Sequence, residues 1–231
     1  SKPVSNKSLM TVFKEMALVL KDIRFISLIV IYSGFWVLYF QMYDSVLWYF
    51  KEYVNMTPLN NAVNSFLSIF VNNPGWKFEE EHVTVINAGV IILLQIIVSN
   101  IVKNTKALPT MIIGIGFGTI GMAILGISNN PWVFIIGIVI FTFGEMIAHP
   151  KFISYVGLIA PEDKKALYLG YSFLYGVIGS SIAGVAGAFM YVHFITNQHN
   201  PSAFWFIFSG IGLLTIAALL IYSKIFKVKS E

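Results

Sequence analysis

Long apolar runs alternate with short polar clusters along this chain, and the lengths of the runs set the first reading. Six of them approach or exceed the roughly 20 residues with which an α-helix crosses a bilayer. They run from about Phe25 to Phe50, Thr84 to Val102, Leu108 to Ile127, Trp132 to Ile159, Ala166 to Phe194 and Ala203 to Ile225. Barrel strands are about half as long, so the run lengths exclude a barrel and predict an all-α membrane protein with six transmembrane helices. Residues 25–225 form this bundle, residues 226–231 a tail, and residues 1–24 a linker segment. Within the linker, Leu9, Val12, Phe13, Met16 and Leu20 recur at helical spacing, with Lys7, Lys14, Glu15 and Lys21 between them. That pattern predicts an interfacial amphipathic helix over 8–20.

The polar clusters mark the helix ends. "EEEHVTVIN" (79–87) places three acids at the start of the second span, where the helix dipole favours them. Pro109 fits the first turn of the third. Between the first two spans, "NSFLSIFVNNPGW" (64–76) predicts a short helix on the membrane surface. Twelve of the Lys and Arg residues fall on one side of the predicted membrane: Lys2, Lys7, Lys14, Lys21, Arg24, Lys103, Lys106, Lys164, Lys165, Lys224, Lys227 and Lys229. The other side receives Lys51 and Lys77. The positive-inside rule therefore predicts that both termini are cytoplasmic.

Composition narrows the class without changing it. The chain is 57% hydrophobic and 11% charged, with a mean hydropathy of +0.76, which no ordinary soluble domain matches. It has no cysteine, so it forms no disulfide and performs no thiol chemistry. The net charge of +4 comes from lysines beside spans, which is no signal for nucleic acid. No zinc-protease, hydrolase-elbow or phosphate-loop pattern is present, so an enzyme is not expected, nor a metal or cofactor. Glycine and other small residues recur every four positions in the fifth span, as Gly176, Ser180, Gly184 and Ala188, and as Gly179, Ala183 and Gly187. Gly114 and Gly118 do the same in the third span, beside Gly116 and Gly121. Such faces let helices approach closely in lipid, where apolar burial gives no drive.

Polar residues inside the spans carry the candidate chemistry, because an ionisable group at mid-bilayer costs about 2.5–3.5 kcal/mol on insertion scales. Glu145 falls near the middle of the fourth span. His149 lies one turn later on the same face. Pro150 removes a backbone hydrogen bond and predicts a kink there. Lys151 follows, turned away from Pro150. Gln41 and Asp44 share a face of the first span, near Tyr39, Tyr43 and Trp48. Asn87 and Gln95 share a face of the second.

Taken together, "GFWVLYFQ" (34–41), "VINAGVIILL" (85–94), "FTFGEMIAHP" (141–150), "LIAPED" (158–163) and "ALYLGYSFLYGVIGSSIAG" (166–184) resemble the C-terminal six helices of the proton-dependent oligopeptide transporter family, within the major facilitator superfamily. The resemblance spans about residues 25 to 225. It implies one half-bundle of a twelve-helix secondary transporter in a cell (inner or plasma) membrane, working with an N-terminal six-helix half by alternating access. It implies Glu145 as the carboxylate that binds a peptide's amino end and couples protons. It implies Asn87, Gln41, His149 and Trp36 as further substrate contacts. Phe40 stands where the family's seventh helix carries an acid, and Asp44 would take over that proton-coupling role. His149 replaces the family's Ser, Lys151 an apolar residue, and Ser172 a Trp. The implied partners are a peptide or other small-molecule substrate, protons and the lipid bilayer. A facilitator of a sugar, drug or organic anion is the alternative, and a non-transporting membrane scaffold a third reading.

Overall fold

A computed structural model describes residues 18–226. The amphipathic helix expected over 8–20 lies outside the described residues except for its last three positions, and the tail beyond Phe226 lies outside them too. Among the described residues the chain is helical, with no strand. Six helical stretches are long and apolar enough to cross a membrane: Ile23–Tyr53, Glu80–Val102, Ala107–Leu125, Pro131–Ile159, Glu162–Asn197 and Pro201–Ile225.

The first stretch is two helices, α1 (Ile23–Tyr43) and α2 (Ser45–Tyr53), interrupted at Asp44. Helix α3 (Thr57–Leu67) follows in the connecting loop. Three uninterrupted spans come next: α4 (Glu80–Val102), α5 (Ala107–Leu125) and α6 (Pro131–Ile159). The fifth stretch joins a 3-10 turn at Glu162–Lys164, α7 (Lys165–Ser172), α8 (Leu174–Met190) and a π-helical turn at Tyr191–Asn197. The last is α9 (Pro201–Ile225).

Local chemistry explains the ends. Asp22 caps α1 by accepting from the Phe25 amide at 3.2 Å, and its second oxygen accepts from Tyr168 Oη at 2.7 Å. Helix α4 starts four residues earlier than its hydropathy suggests, because a reciprocal cap closes its first turn. The Glu79 side chain accepts from the backbone amide of His82, and the Glu79 amide donates to His82 Nδ1 at 2.9 Å. Asn130 and Asn200 cap α6 and α9 by accepting from Trp132 and Ala203 amides.

The spans pack in a spatial order unlike their sequence order. Helix α1 lies against α8 and α9, α9 against α5, α5 against α6, and α6 against α4. The α5–α6 contact is the most extensive. A methyl group on Gly144 would meet the Gly118 backbone nitrogen at 2.5 Å and the Gly114 carbonyl at 2.6 Å, so only glycine allows this approach. Aromatic rings fill the middle of the bundle. Tyr32 stacks on Phe152 with centroids 3.9 Å apart, and Phe35 on Phe141 at 5.9 Å. The outward faces of α4, α8 and α9 are branched and aromatic hydrocarbon, including Ile92, Leu93, Ile96, Val185, Phe189 and Leu214.

One expectation needs correction, that of the loop helix, and the helix breaks lie where no proline marks them. Pro150 does not end its helix: α6 runs as one helix through it, and the close contacts with α5 at Gly144 and Ala148 lie in the turns before the proline. The interruptions fall instead at Asp44, whose backbone leaves the helical region (φ −112°, ψ −84°), and at Phe173. The loop between the first two spans is also more ordered than a surface helix alone. Its helix, α3, begins at Thr57, ahead of the stretch expected. Asn64 Nδ2 donates to the carbonyls of Asn60 and Trp76, at 2.8 and 2.7 Å. Asn64 Oδ1 accepts from the Trp76 amide at 2.8 Å, and Asn60 Oδ1 from the Phe78 amide at 2.8 Å. Two asparagines one turn apart thus clamp the returning chain.

Candidate functional site

Glu145 is the middle residue of the 29 in α6, half-buried on the side that faces α4 and α1. Asn87, the buried polar residue of α4, connects it to its surroundings. Asn87 Nδ2 donates to Glu145 Oε2 at 3.0 Å and to Thr142 Oγ1 at 3.0 Å. Asn87 Oδ1 accepts from Tyr43 Oη at 3.1 Å. Thr142 in turn donates to the Ile138 carbonyl of its own helix at 2.8 Å. One amide therefore ties together α1, α4 and α6, the three elements that converge here. Hydrogen bonds to an ionised carboxylate are about twice as strong as neutral ones, so Asn87 fixes the Glu145 rotamer. Among the described residues Glu145 has no Lys or Arg partner, and its second oxygen, Oε1, makes no hydrogen bond.

The next turn of α6 carries His149 into a group of rings. Trp36 lies 5.7 Å from His149 and Tyr175 6.0 Å, both edge-on, while Trp36 and Tyr175 stack on each other at 4.7 Å. Tyr39 links this group back to Tyr43, 4.5 Å from Trp36 and 5.0 Å from Tyr43. The result is a wall of aromatic residues on α1 and α8 running beside the Glu145–His149 face. Trp36 Nε1 and His149 Nδ1 are buried and have no hydrogen-bond partner among the described residues. A buried donor or acceptor left unmade costs about 1–3 kcal/mol, and Tyr32 Oη and Trp205 Nε1 are likewise buried with no hydrogen-bond partner among the described residues.

Of the residues singled out in the sequence, the structure brings Glu145 and Asn87 into direct contact and places Trp36 and His149 one turn away. It sets Gln41 and Asp44 apart from them. Gln41 is fully buried between α1 and α8, where Nε2 donates to the Ala183 carbonyl at 3.1 Å and Oε1 accepts from Ser45 Oγ at 2.6 Å. A methyl group on Gly187 would meet Gln41 Nε2 at 2.7 Å, so the Gly179–Ala183–Gly187 face is used to seat α8 on α1. Asp44 is exposed at the α1–α2 interruption and lines a different groove, of about 370 Å³, with Trp48, Gly184 and Tyr191. Gln95 bonds within its own helix, to Ser99 Oγ at 2.9 Å. Lys151 is buried away from Glu145 and donates to the Thr105 carbonyl of the α4–α5 turn at 2.7 Å. Ser172 is fully buried and donates to the Leu169 carbonyl at 2.6 Å, beside the α7–α8 interruption.

Tyr43, Thr142 and Tyr175 belong to the site but were not singled out as site residues. Thr142 carried a signal, since it sits three residues before Glu145 and so shares its face. Tyr43 and Tyr175 reach the site across helices, which spacing within one helix does not reveal. No group of three or more His, Asp or Glu residues capable of holding a metal ion occurs among the described residues.

Fold and site together define a multi-pass, all-helical membrane protein with a polar, aromatic-walled centre at the middle of its longest uninterrupted helix. No protein-family model matches the chain, and no curated protein matches it.

Proposed function

We propose that the chain is one six-helix half of a secondary transporter of the major facilitator type, moving a small peptide or a similar amphoteric solute together with protons. Both termini would face the cytoplasm, as the lysine distribution indicates, and a second six-helix half would complete the pathway. Glu145 is the substrate and proton carboxylate in this reading. Asn87 holds it, Trp36 and His149 contact the solute, and Asp44 stands near the outer end as a second titratable group on the proton route. Gln41, tied to Ala183, holds α1 on α8 and lines the groove beside Asp44, where it is a further solute contact.

The observation that carries the reading is the half-satisfied carboxylate. An acid at the centre of a membrane helix, with one oxygen fixed by an amide and the other unpartnered, is costly unless water, a proton or a cationic group reaches it. A purely structural acid would be paired with a base. The interruption at Asp44 fits as well, since irregular backbone at membrane depth is tolerated where it is buried in protein or lines a cavity.

A carrier of a non-peptide solute is the second reading, favoured by Phe40 where the resembling family has an acid. Competition separates the two. In proteoliposomes of the intact protein with an inward proton gradient, di- and tripeptides at saturating concentration should abolish labelled-peptide accumulation, while sugars and organic anions should not. Equal competition by an organic anion and none by peptides would move the assignment to the second reading.

A further inference from the structure

The loop between the first two spans carries a patch of hydrocarbon that the site above does not use. Helix α3 begins at Thr57, shortly after α2 ends at Tyr53, and the returning chain reaches α4 at Glu80. Helix α3 also packs against α6, whose first turn carries Trp132, and Trp76 stands where the loop returns. Tryptophan collects at the boundary between membrane and water, so α3 lies at headgroup level. Its turns present three faces. Leu59, Val63 and Leu67 point toward the protein. Asn61, Ser65 and Ser68 form an exposed polar face, on which Ser65 Oγ donates to the Asn61 carbonyl at 2.8 Å and Ser68 Oγ to the Ser65 carbonyl at 2.7 Å. Ala62, Phe66, Ile69 and Phe70 share a third face, exposed and wholly apolar. The amides of Phe70 and Val71 still donate to the Leu67 carbonyl, both at 2.9 Å, so the helical spacing persists into this tip. Phe66, Ile69, Phe70 and Val71 are 55–72% exposed, and the rings of Phe66 and Phe70 meet edge-on at 5.7 Å. Asn73 and Gly75, at φ 51° and 60°, then turn the chain back toward α4.

We propose that this tip inserts into the lipid leaflet at that end of the bundle, with Phe66, Ile69 and Phe70 among the upper acyl chains and Asn61, Ser65 and Ser68 turned to the water. The division of the exposed surface selects lipid as the occupant, since a polar face beside an apolar one is the pattern of a helix lying in a membrane interface. Charge agrees: residues 57–78 contain no acid and a single Lys, so no carboxylate is carried into the headgroup layer. Position agrees as well. Asn64 bonds to Trp76, and Trp76 meets His82 in the first turn of α4 with ring centroids 5.2 Å apart. The tip is thereby attached to the span whose outward face is hydrocarbon, and continues that surface to its end. The Asn60 and Asn64 bonds fix the loop in advance, so little ordering remains to oppose insertion. An anchored tip would hold the start of α4 at a set depth, which counts for a span with so little of its surface buried in the bundle. The inference stands on the membrane fold alone and is independent of the transport assignment.

The test is spin labelling of the intact protein in phosphatidylcholine vesicles. This chain contains no cysteine, so Ile69→Cys, Phe70→Cys, Asn61→Cys and Ser65→Cys each give it a single labelling position. Relaxation of the label by dissolved oxygen, which concentrates in hydrocarbon, is compared with relaxation by a water-soluble nickel chelate. Oxygen should dominate at positions 69 and 70, with those labels about 5–10 Å into the headgroup–acyl boundary, and the nickel chelate at 61 and 65. Dominance of the chelate at all four positions would place the tip in water and overturn the proposal. Weak relaxation by both reagents at 69 and 70 would mean that protein covers the tip, whether another six-helix half or a second copy, and would overturn it too. The label is itself apolar, so a second measurement guards against its drawing the loop into lipid. With the label at Phe66→Cys, adding Ile69→Asp and Phe70→Asp should shift that position from oxygen-dominated to chelate-dominated while the thermal midpoint holds. Oxygen dominance retained there would show that the tip does not drive insertion, and would overturn the proposal.

Discussion

Asn87 Nδ2 lies 3.0 Å from Glu145 Oε2, and through that single amide the least buried span of the bundle is joined to the middle of one of its two most enclosed ones. Only 11% of the apolar stretch of α4 is buried, against 56% for α6, so α4 has few other contacts to hold it. A polar bond between helices in a membrane measures about 0.6 to 2 kcal/mol. This one also sets the direction of the only acid in α6.

Removing the amide should therefore affect function more than folding. Asn87→Leu leaves Glu145 Oε2 and Tyr43 Oη without their partner, a loss of about 1.5–3 kcal/mol for the charge-assisted bond. Solute binding, measured by titration in detergent or by the half-saturation of uptake, should weaken about 10- to 100-fold while the protein still purifies as a folded species. Unchanged half-saturation would mean that Asn87 is a helix–helix bond and nothing more.

The glycine contacts separate seated faces from open ones. Gly144→Ala forces a methyl against the backbone of Gly118 and Gly114, neither of which can move aside cheaply, and should cost about 1–3 kcal/mol. Gly116→Ala, one helix face away with open space at that position, should leave the thermal midpoint unchanged or raise it. Differential scanning fluorimetry of the two variants compares them directly; equal midpoints would refute the α5–α6 geometry.

Pro150→Ala restores an amide to a helix that is already continuous. The new N–H can donate to the Met146 carbonyl, so stability should hold or rise by up to about 1 kcal/mol. Transport should persist, because the proline is exposed and Glu145 and His149 do not depend on an interruption there. Loss of uptake with intact folding would show that the proline itself is part of the mechanism.

Asn64→Ala deletes the two hydrogen bonds that hold Trp76 against α3. The 57–78 loop should become sensitive to limited proteolysis, with cleavage about tenfold or more faster than in the parent. The bundle itself should keep its thermal midpoint, since the clamp lies outside the spans.

The spans were legible in the sequence because oil imposes one rule on every backbone group, and the observed helices begin and end within a few residues of the hydropathy. What shifted the ends was capping chemistry, as at Glu79 and Asp22. The place of interruption was not legible. Proline is the usual marker of a helix break, but Pro150 lies in a helix held by a glycine contact, whereas Asp44 breaks α1 with no proline near it. At Asp44 the chain is secured by Gln41 bonding to Ala183, a partner 142 residues away that no local pattern reveals. For the same reason the sequence marks Gln41 as a polar residue in an apolar run but not its second part, a tie between α1 and α8 beside the groove it lines with Asp44. Glu145 and Asn87 were legible as isolated polar residues in apolar runs. Their meeting, and the part of Tyr43 in it, depends on how α4 and α1 lie against α6.

The most direct test of the central claim is uptake by the intact protein carrying Glu145→Gln, in proteoliposomes with and without an inward proton gradient. The substitution keeps an oxygen for Asn87 to bond, so the site geometry is preserved while the titratable charge is lost. The account predicts that the gradient no longer drives accumulation above the equilibrium level, whereas solute exchange at equal pH continues at a reduced rate. Gradient-driven accumulation equal to that of the parent protein would contradict it.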